Sequence, residues 1–431
     1  MSLSNSVKTH FLDPEYHSIT TKKSTFKLDQ TFINSDMYLV NVGVYDPQRT
    51  NVIGLYYPTF NGVLQSIKRI YLTVNGVMVD SLDNCQQSTT MNALMSTNRH
   101  SNDFNRQTLL NGMGFQIESN AQPQSGALSL QAEYSTNYAT INGANNQAIN
   151  NQVVIAQNVN QQSGMIRLRD LLGFLRAKGP DGQYVILPAL PDLKLEIEWN
   201  TDNADYFLDP AQAGGITPNL SPMQPMLVYD ELLNVSPEQV VSVINYDQRL
   251  TERFNVPVKA NDAFASETSF RSQAFKAKYL KRLALVNLPS SQLADASKWL
   301  SRTNRSVAQK AEKIQLVVNS RSLFPGDGIS SPIVKQHMFN MSYGQLNLPI
   351  SSTMQNVRDD RNNMLTTLAS PLVGQYSILG TKVERVIDSL RVEYQRKYGD
   401  TASGQEAFTL LLVGDVSRTM TIKDNMVRLN Y

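Results

Sequence analysis

Apolar residues along this chain recur mostly with period two. Leu193, Leu195, Ile197 and Trp199 alternate with Lys194, Glu196 and Glu198, which predicts a strand with one apolar and one charged face. Each apolar side chain buried there is worth about 1.5–3 kcal/mol, so a one-residue slip, which would bury charges instead, is strongly disfavoured. Ile70, Leu72 and Val74 alternate up to Asn75-Gly76, after which Val77-Met78-Val79 follows. Both central residues of a type I′ turn need positive φ, which Asn and Gly tolerate, so this stretch is a predicted hairpin. The pattern returns 244 residues later as Ile314-Gln315-Leu316-Val317-Val318-Asn319, after the charged pair Glu312-Lys313 and ahead of an expected turn at Pro325-Gly326. One copy early in each half predicts a duplicated β domain.

The remaining elements follow from the same grammar. Residues 1–24 hold Lys8, His10, His17, Lys22 and Lys23 without apolar periodicity, which predicts an N-terminal arm and no element of the core. Strand and turn signals run through 26–45 and 52–64. Between Asn102 and Gln162, 22 of 61 residues are Asn or Gln, the composition of a long surface insertion with short strands. Leu168, Leu171, Leu172 and Leu175 have helical spacing and run into Lys178 and Gly179-Pro180, so one short amphipathic helix is expected there. Four prolines and two glycines between Asp209 and Pro225 precede a strand at 226–233, and Ser236-Pro237-Glu238 is an N-cap with Pro at the first helical position. The second half carries expected strands at 254–258 and 283–286 and a helix near 364–369. Val383, Val386, Ile387 and Leu390 suggest a helical turn running into a strand through Val392 and Tyr394, and alternating strands follow from Phe408 to the end. The expected organisation is an arm at 1–24, a first β domain at 25–235 with the insertion at 102–162, a linker at 236–250 and a second β domain at 251–431.

Composition narrows the class. A single cysteine, Cys85, excludes an internal disulfide or a cysteine-anchored zinc site and suits folding in a reducing compartment. The N-terminus lacks an apolar signal region and no run of eighteen apolar residues occurs, so neither secretion nor membrane spanning is expected and the mature protein is expected to be the whole chain. Charged residues make up 18% while Asn and Gln number 68, so much of the polar surface is amide, which suits extensive contacts. Net charge is +2; residues 1–210 carry 14 Lys/Arg against 18 Asp/Glu and residues 211–431 carry 25 against 19, an imbalance expected of unequal solvated surfaces.

Chemical signals are sparse. His10, His17, His100 and His337 show no metal-ligand spacing, and no phosphate loop, nucleophile elbow or dinucleotide fingerprint occurs. Asp359 and Asp360 are neighbours that would face opposite ways on a strand, which leaves a solvated turn as the favoured reading. Cys85 has no nearby His and is expected to be a buried, inert thiol. Residues 249–310 carry 12 Lys/Arg against 4 Asp/Glu, interleaved with Phe254, Phe264, Phe270, Phe275, Tyr279 and Trp299. Such a stretch could bind nucleic acid, but a solvated face is the favoured reading. No catalytic, cofactor-binding or metal site is assigned, and no cofactor.

Taken together, Ile70-Tyr71-Leu72-Thr73-Val74-Asn75-Gly76, Lys313-Ile314-Gln315-Leu316-Val317-Val318-Asn319, Asp388-Ser389-Leu390-Arg391-Val392-Glu393-Tyr394 and Leu410-Leu411-Leu412-Val413-Gly414 give residues 25–431 a pattern that resembles the double jelly-roll major capsid proteins of tailless double-stranded DNA viruses. That lineage includes adenovirus hexon, the capsid proteins of membrane-containing phages, virophages, Polinton-like viruses and nucleocytoplasmic large DNA viruses. The resemblance implies an all-β fold of two tandem eight-stranded antiparallel jelly rolls with a few short helices. It implies a homotrimer that forms a pseudo-hexagonal capsomer of an icosahedral shell in the virion, with neighbouring capsomers and minor capsid or penton proteins as partners and no catalytic residue. It also places the arm, with Lys8, Lys22 and Lys23, on the inner face, toward neighbouring capsomers, a minor protein, an internal membrane or packaged DNA bound without sequence specificity. The residues by themselves leave open a tandem β-sandwich binding module, for carbohydrate for example, and a β-sandwich glycan-active enzyme.

Overall fold

A computed structural model of the chain describes residues 6–29, 32–45, 47, 55–56, 62–83, 85, 115–118, 129–132, 161–179, 184–188, 190, 192–202, 207–208, 219–235, 242–256, 266–289, 311–330, 332–343, 379–397, 408–423 and 426–431. Leu193–Trp199 is a strand with the predicted bounds, its residues alternately buried and half-buried. In register, Leu195 lies between Phe26 and Leu72, and Ile197 between Ser24 and Ile70, so one face of three neighbouring strands forms a continuous buried layer. On the opposite face Tyr71 donates a hydrogen bond to Glu196 at 2.8 Å and Lys23 pairs with Glu198 at 3.3 Å. These strands belong to a five-stranded sheet ordered Tyr16–Ser18, Lys23–Leu28, Leu193–Trp199, Ile67–Val74, Val77–Asp83.

Facing it is a seven-stranded sheet whose path runs Gln161–Arg167, Tyr38–Tyr45, Met226–Leu233, Phe32–Asn34, Ile186–Pro188, with Ser6–Leu12 and Ser221–Pro222 paired at its side. Phe26, Leu72 and Leu195 of one sheet share a core with Leu39, Val42 and Leu227 of the other. The second half repeats this layering. A five-stranded sheet, ordered Val243–Val256, Phe408–Lys423, Tyr279–Pro289, Leu379–Val386 with Met426–Asn430 beside Phe408–Lys423, packs on a four-stranded sheet ordered Ser266–Ser272, Leu390–Lys397, Ala311–Val318, Arg321–Ser322. Every pairing in these four sheets is antiparallel. The fold is all-β, two antiparallel sandwiches in tandem, and short pieces such as Ser221–Pro222 account for strands beyond eight in each.

The two hairpins match closely. Asn75 and Gly76 turn with φ of 48° and 74°, and Asn319 and Ser320 with 49° and 64°. The second turn is therefore at Asn319-Ser320, ahead of the expected Pro325-Gly326. Its reason is side-chain chemistry: Asn319 Nδ2 donates to the Val386 carbonyl at 2.8 Å, and Oδ1 accepts the Asp388 and Ser389 N–H groups at 2.8 and 3.2 Å. Those bonds hold a bend between Leu379–Val386 and Leu390–Lys397, where the chain passes from one sheet to the other. The helical turn expected at 383–390 is that crossover.

Other expectations are corrected by packing. The helix expected at 168–175 is two 3-10 turns, Leu168–Asp170 and Phe174–Arg176, with Leu168, Leu171, Leu172, Phe174 and Leu175 all buried. All four leucines are buried from two successive turns, so their spacing does not mark one face of an α-helix. The one α-helix among the described residues, Pro332–Tyr343, begins with Pro at its first position after Ser330-Ser331, a start signal not used in the sequence reading. Residues 364–369 lie outside the described residues. At the N-terminus, expected to be an arm outside the core, Ser6–Leu12 pairs with Leu227–Leu233 along its length and Tyr16–Ser18 pairs with Lys23–Thr25. An edge needs only extended backbone from its partner, so strands there leave no apolar periodicity. Val243–Val256 starts within the expected linker at 236–250, because Ile244 and Tyr246 are buried in the first core. Of the insertion at 102–162, the described pieces are the hairpin strands Phe115–Glu118 and Ser129–Ala132 and the start of Gln161–Arg167.

Candidate functional site: the seam between the sandwiches

The edge strand Val77–Asp83 of the first sandwich meets the second sandwich along Val243–Val256 and Phe408–Lys423. These two long strands pair with each other from Val243 and Thr421 to Val256 and Phe408. The Val79 carbonyl accepts hydrogen bonds from Tyr246 Oη at 2.6 Å and Arg418 Nη1 at 2.5 Å. Gln248 Nε2 donates to Ser81 Oγ at 3.3 Å and Thr251 Oγ1 to the Asp83 carbonyl at 3.3 Å. Side chains of one sandwich thus satisfy the open backbone edge of the other, which both covers a hazardous edge and ties the halves together. Apolar packing reinforces it: Ile244, Tyr246 and Met420 belong to the first core, and Phe174 meets the Tyr246 ring edge-on with centroids 5.2 Å apart. The contact is close enough that a Cβ on Gly173 would fall 1.8 Å from the Asp247 carbonyl oxygen.

Two buried aspartates line this region. Asp80 accepts the Phe174 and Ser81 backbone N–H groups, each at 2.8 Å. Burial pushes its carboxyl up to about 6, against the opposing pull of those N–H groups and of Arg176 and Arg418. Asp415 faces cations. Arg249 grips it through Nε at 2.8 Å and Nη2 at 3.2 Å, and Arg282 Nε donates at 2.6 Å. Burial would raise this carboxyl too, but Arg249 and then Arg282 outweigh it and hold the group well below the usual carboxylate range.

The residues singled out in the sequence fall elsewhere. Lys8 is exposed on Ser6–Leu12, in register with Glu231. Lys22 sits in a turn at φ 55° with its carbonyl accepting the Trp199 N–H at 2.8 Å, and Lys23 pairs with Glu198. Lys8 and the Lys22-Lys23 pair are thus on different sheets. His10 bonds Glu231 at 2.8 Å and stacks on Tyr229, His17 bonds Ser24 at 2.8 Å, and His337 is exposed on the helix. Burial lowers the His17 pKa. His100, Asp359 and Asp360 lie outside the described residues. Among the described residues no group of three or more His, Cys, Asp or Glu could hold a metal ion, and no helix is long and apolar enough to cross a membrane. Cys85 is buried with Sγ 3.2 Å from the Leu82 carbonyl, and burial pushes its thiol up.

The basic, aromatic stretch from Arg249 is partly interior, contrary to the favoured solvated face. Arg249 is consumed by Asp415, Phe275 is core beneath Gly414, and Phe254 stacks on Phe270 at 5.1 Å. Phe264 and Trp299 lie outside the described residues. Asp80, Arg176, Asp415 and Arg418 were not singled out from the sequence. A signal existed for two of them, since Asp415 and Arg418 interrupt the apolar run that starts at Leu410.

No family model and no curated protein matches the chain. Solved structures do. A chain of the cryo-EM structure of the Sputnik virophage is 11% identical and superposes over 100% of this chain and 89% of that one, with a TM-score of 0.57. The Faustovirus major capsid protein is 9% identical over 97% and 91%, with a TM-score of 0.54. A chain of the PBCV-1 virus capsid is 11% identical over 100% and 98%, with a TM-score of 0.52. At such identities the shared quantity is the fold, and it is the double jelly roll.

Proposed function

We propose that this protein is a major capsid protein, a structural subunit of an icosahedral virus shell. The observation that carries the proposal is a likeness of fold over nearly the full length of both chains, with chains that belong to virus particles. The seam supports it physically. Two sandwiches tied by the Val79 edge bonds and a shared core behave as one block, so a three-fold assembly of such blocks presents six lobes in a pseudo-hexagonal outline that can tile a shell. A surface rich in Asn and Gln favours contacts between copies without the desolvation cost of buried ions. The proposal assigns no catalytic step and no cofactor.

In this reading the capsomer is a homotrimer, made in a reducing compartment of the host cell and resident in the virion. Its partners are neighbouring capsomers and minor capsid or penton proteins. The N-terminal segment, whose strands Ser6–Leu12 and Tyr16–Ser18 join the two sheets of the first sandwich, would turn one end of that sandwich to the inner face, where Lys8, Lys22 and Lys23 contact those partners, an internal membrane or packaged DNA without sequence specificity. Val7, Phe11, Tyr16 and Ile19, between 46% and 68% exposed, give the same segment apolar contact area.

Light scattering and electron microscopy of the purified protein test the proposal. Three times the 48.2 kDa chain mass and hexagonal outlines are expected. A stable monomer at micromolar concentration would overturn it in favour of a tandem β-sandwich binding module.

A further inference from the structure

The seam opens on one side into a cleft of about 540 Å³, walled by the 173–178 segment of the first sandwich and by three strands of the second. Among the described residues its lining carries more cations than carboxylates. Five cationic side chains, Arg176, Lys178, Lys281, Arg282 and Arg418, face two carboxylates, Asp247 and Asp415. Both carboxylates are already engaged: Lys281 Nζ holds Asp247 at 2.6 Å, and Arg249 with Arg282 holds Asp415. Arg418 spends its Nη1 on the Val79 carbonyl and Gln248 Oε1. Lys178 is exposed, with Nζ 5.3 Å from the centroid of the Tyr184 ring.

Arg176 is the informative residue. Its side chain is exposed to water and lines the wall of the cleft. Burial, and Arg249 after it, push its pKa down against the opposing pull of Asp415, Asp80 and Asp170, and no hydrogen bond or ion pair among the described residues takes up its guanidinium. The guanidinium groups of Arg176, Arg282 and Arg418 and the ammonium of Lys178, converging from two sandwiches, suit oxygens distributed around phosphorus, and the guanidinium fork favours phosphate over chloride or a lone carboxylate. The volume exceeds what one phosphate needs and falls in the range of small-molecule sites.

We propose that this cleft binds a small compound carrying several phosphate groups, which bridges the two sandwiches through Arg176 and Lys178 on one side and Arg282 and Arg418 on the other. The inference does not depend on the capsid reading, since a monomer would carry the same cleft. A ligand that touches both walls binds only the docked arrangement and so stabilises it by mass action.

Calorimetric titration of the full chain with tripolyphosphate at fixed ionic strength is the test. Saturable binding of one ligand per chain is expected, weakened about tenfold or more by Arg176→Gln, the loss of one charge-assisted contact. Lys382→Gln, at an exposed position of the Leu379–Val386 strand outside the cleft, should bind like wild type. Lys178→Gln, on an exposed side chain, gives the same readout if Arg176→Gln fails to fold. Absence of saturable binding would overturn the proposal, as would equal affinity in wild type and the cleft variants. Inorganic phosphate binding as tightly as tripolyphosphate would overturn the multivalent class.

Discussion

Asp80 and Asp415 are both buried aspartates at the junction of the sandwiches, one from each half, and their surroundings give them opposite behaviour. Asp415, 3% exposed, is clasped by two arginines; Asp80, 1% exposed, has two backbone N–H groups and only more distant cations. Burial acts on both in the same direction. The partner decides the outcome, because an opposite charge at hydrogen-bond distance outweighs desolvation whereas neutral donors do not.

The largest effect is expected from breaking the Asp415 side. Asp415→Asn keeps the shape but strips Arg249, 5% exposed, of its counter-charge. Removing one partner of a buried pair costs about 3–5 kcal/mol, read as a lower denaturant midpoint at pH 7. The folded Asp415 carboxyl lies below its unfolded value, so its stabilisation is present above the usual carboxylate pKa and is lost as pH falls below it. Wild type should therefore lose stability in acid faster than the variant; parallel acid limbs would refute the pairing.

Asp80 has the opposite sign. Burial lifts its folded carboxyl to about 6 from an ordinary value of 3.8, so between those values the folded state binds more protons than the unfolded one and stability falls as pH rises. At 1.36 kcal/mol per unit this amounts to about 3 kcal/mol, complete above pH 6. Asp80→Asn does not titrate, so the stability difference between variant and wild type should grow by about that amount from pH 4 to pH 7 in favour of the variant. Any constant offset from altered hydrogen bonding to Phe174 and Ser81 cancels in this comparison. A difference independent of pH would mean that Asp80 is solvated or paired as Asp415 is.

Sandwich architecture was legible in the sequence because strands such as Leu193–Trp199 answer to one core on one face and polar surroundings on the other, and alternation records that directly. Ser6–Leu12 was invisible because an edge strand is selected by backbone pairing, with Val7 and Phe11 left exposed. The 168–176 turns misled for the opposite reason: with every leucine buried, spacing carries no direction. The seam was the least legible part. Arg249 and Asp415 are 166 residues apart, and Asp80 and the Phe174 N–H 94 apart, so their meeting is a property of the docked sandwiches that no local pattern encodes. Basic residues near the N-terminus stand out because they lie in a segment without apolar periodicity ahead of the first predicted strand, while Arg176, set among leucines, has no such mark.

The two hairpins allow the smallest and cleanest comparison between the halves. Asn75-Gly76 and Asn319-Ser320 make the same left-handed turn, but the second position is Gly in one and Ser in the other. At Gly76 a Cβ would meet nothing within 4 Å, so Gly76→Ser tests backbone preference without a clash. An L-residue in the left-handed region costs about 1–2 kcal/mol, offset in part by about 0.5–1 kcal/mol because Gly has more unfolded freedom to lose. Gly76→Ser should therefore destabilise by about 0.5–1 kcal/mol, and Ser320→Gly, at an exposed site, should stabilise by a similar amount. Denaturation midpoints of the two single variants and the double swap check this, with the double expected near wild type because the turns lie in separate sandwiches and their effects add. If Ser320→Gly destabilised instead, the Ser320 side chain would be making an interaction that the turn geometry alone does not supply.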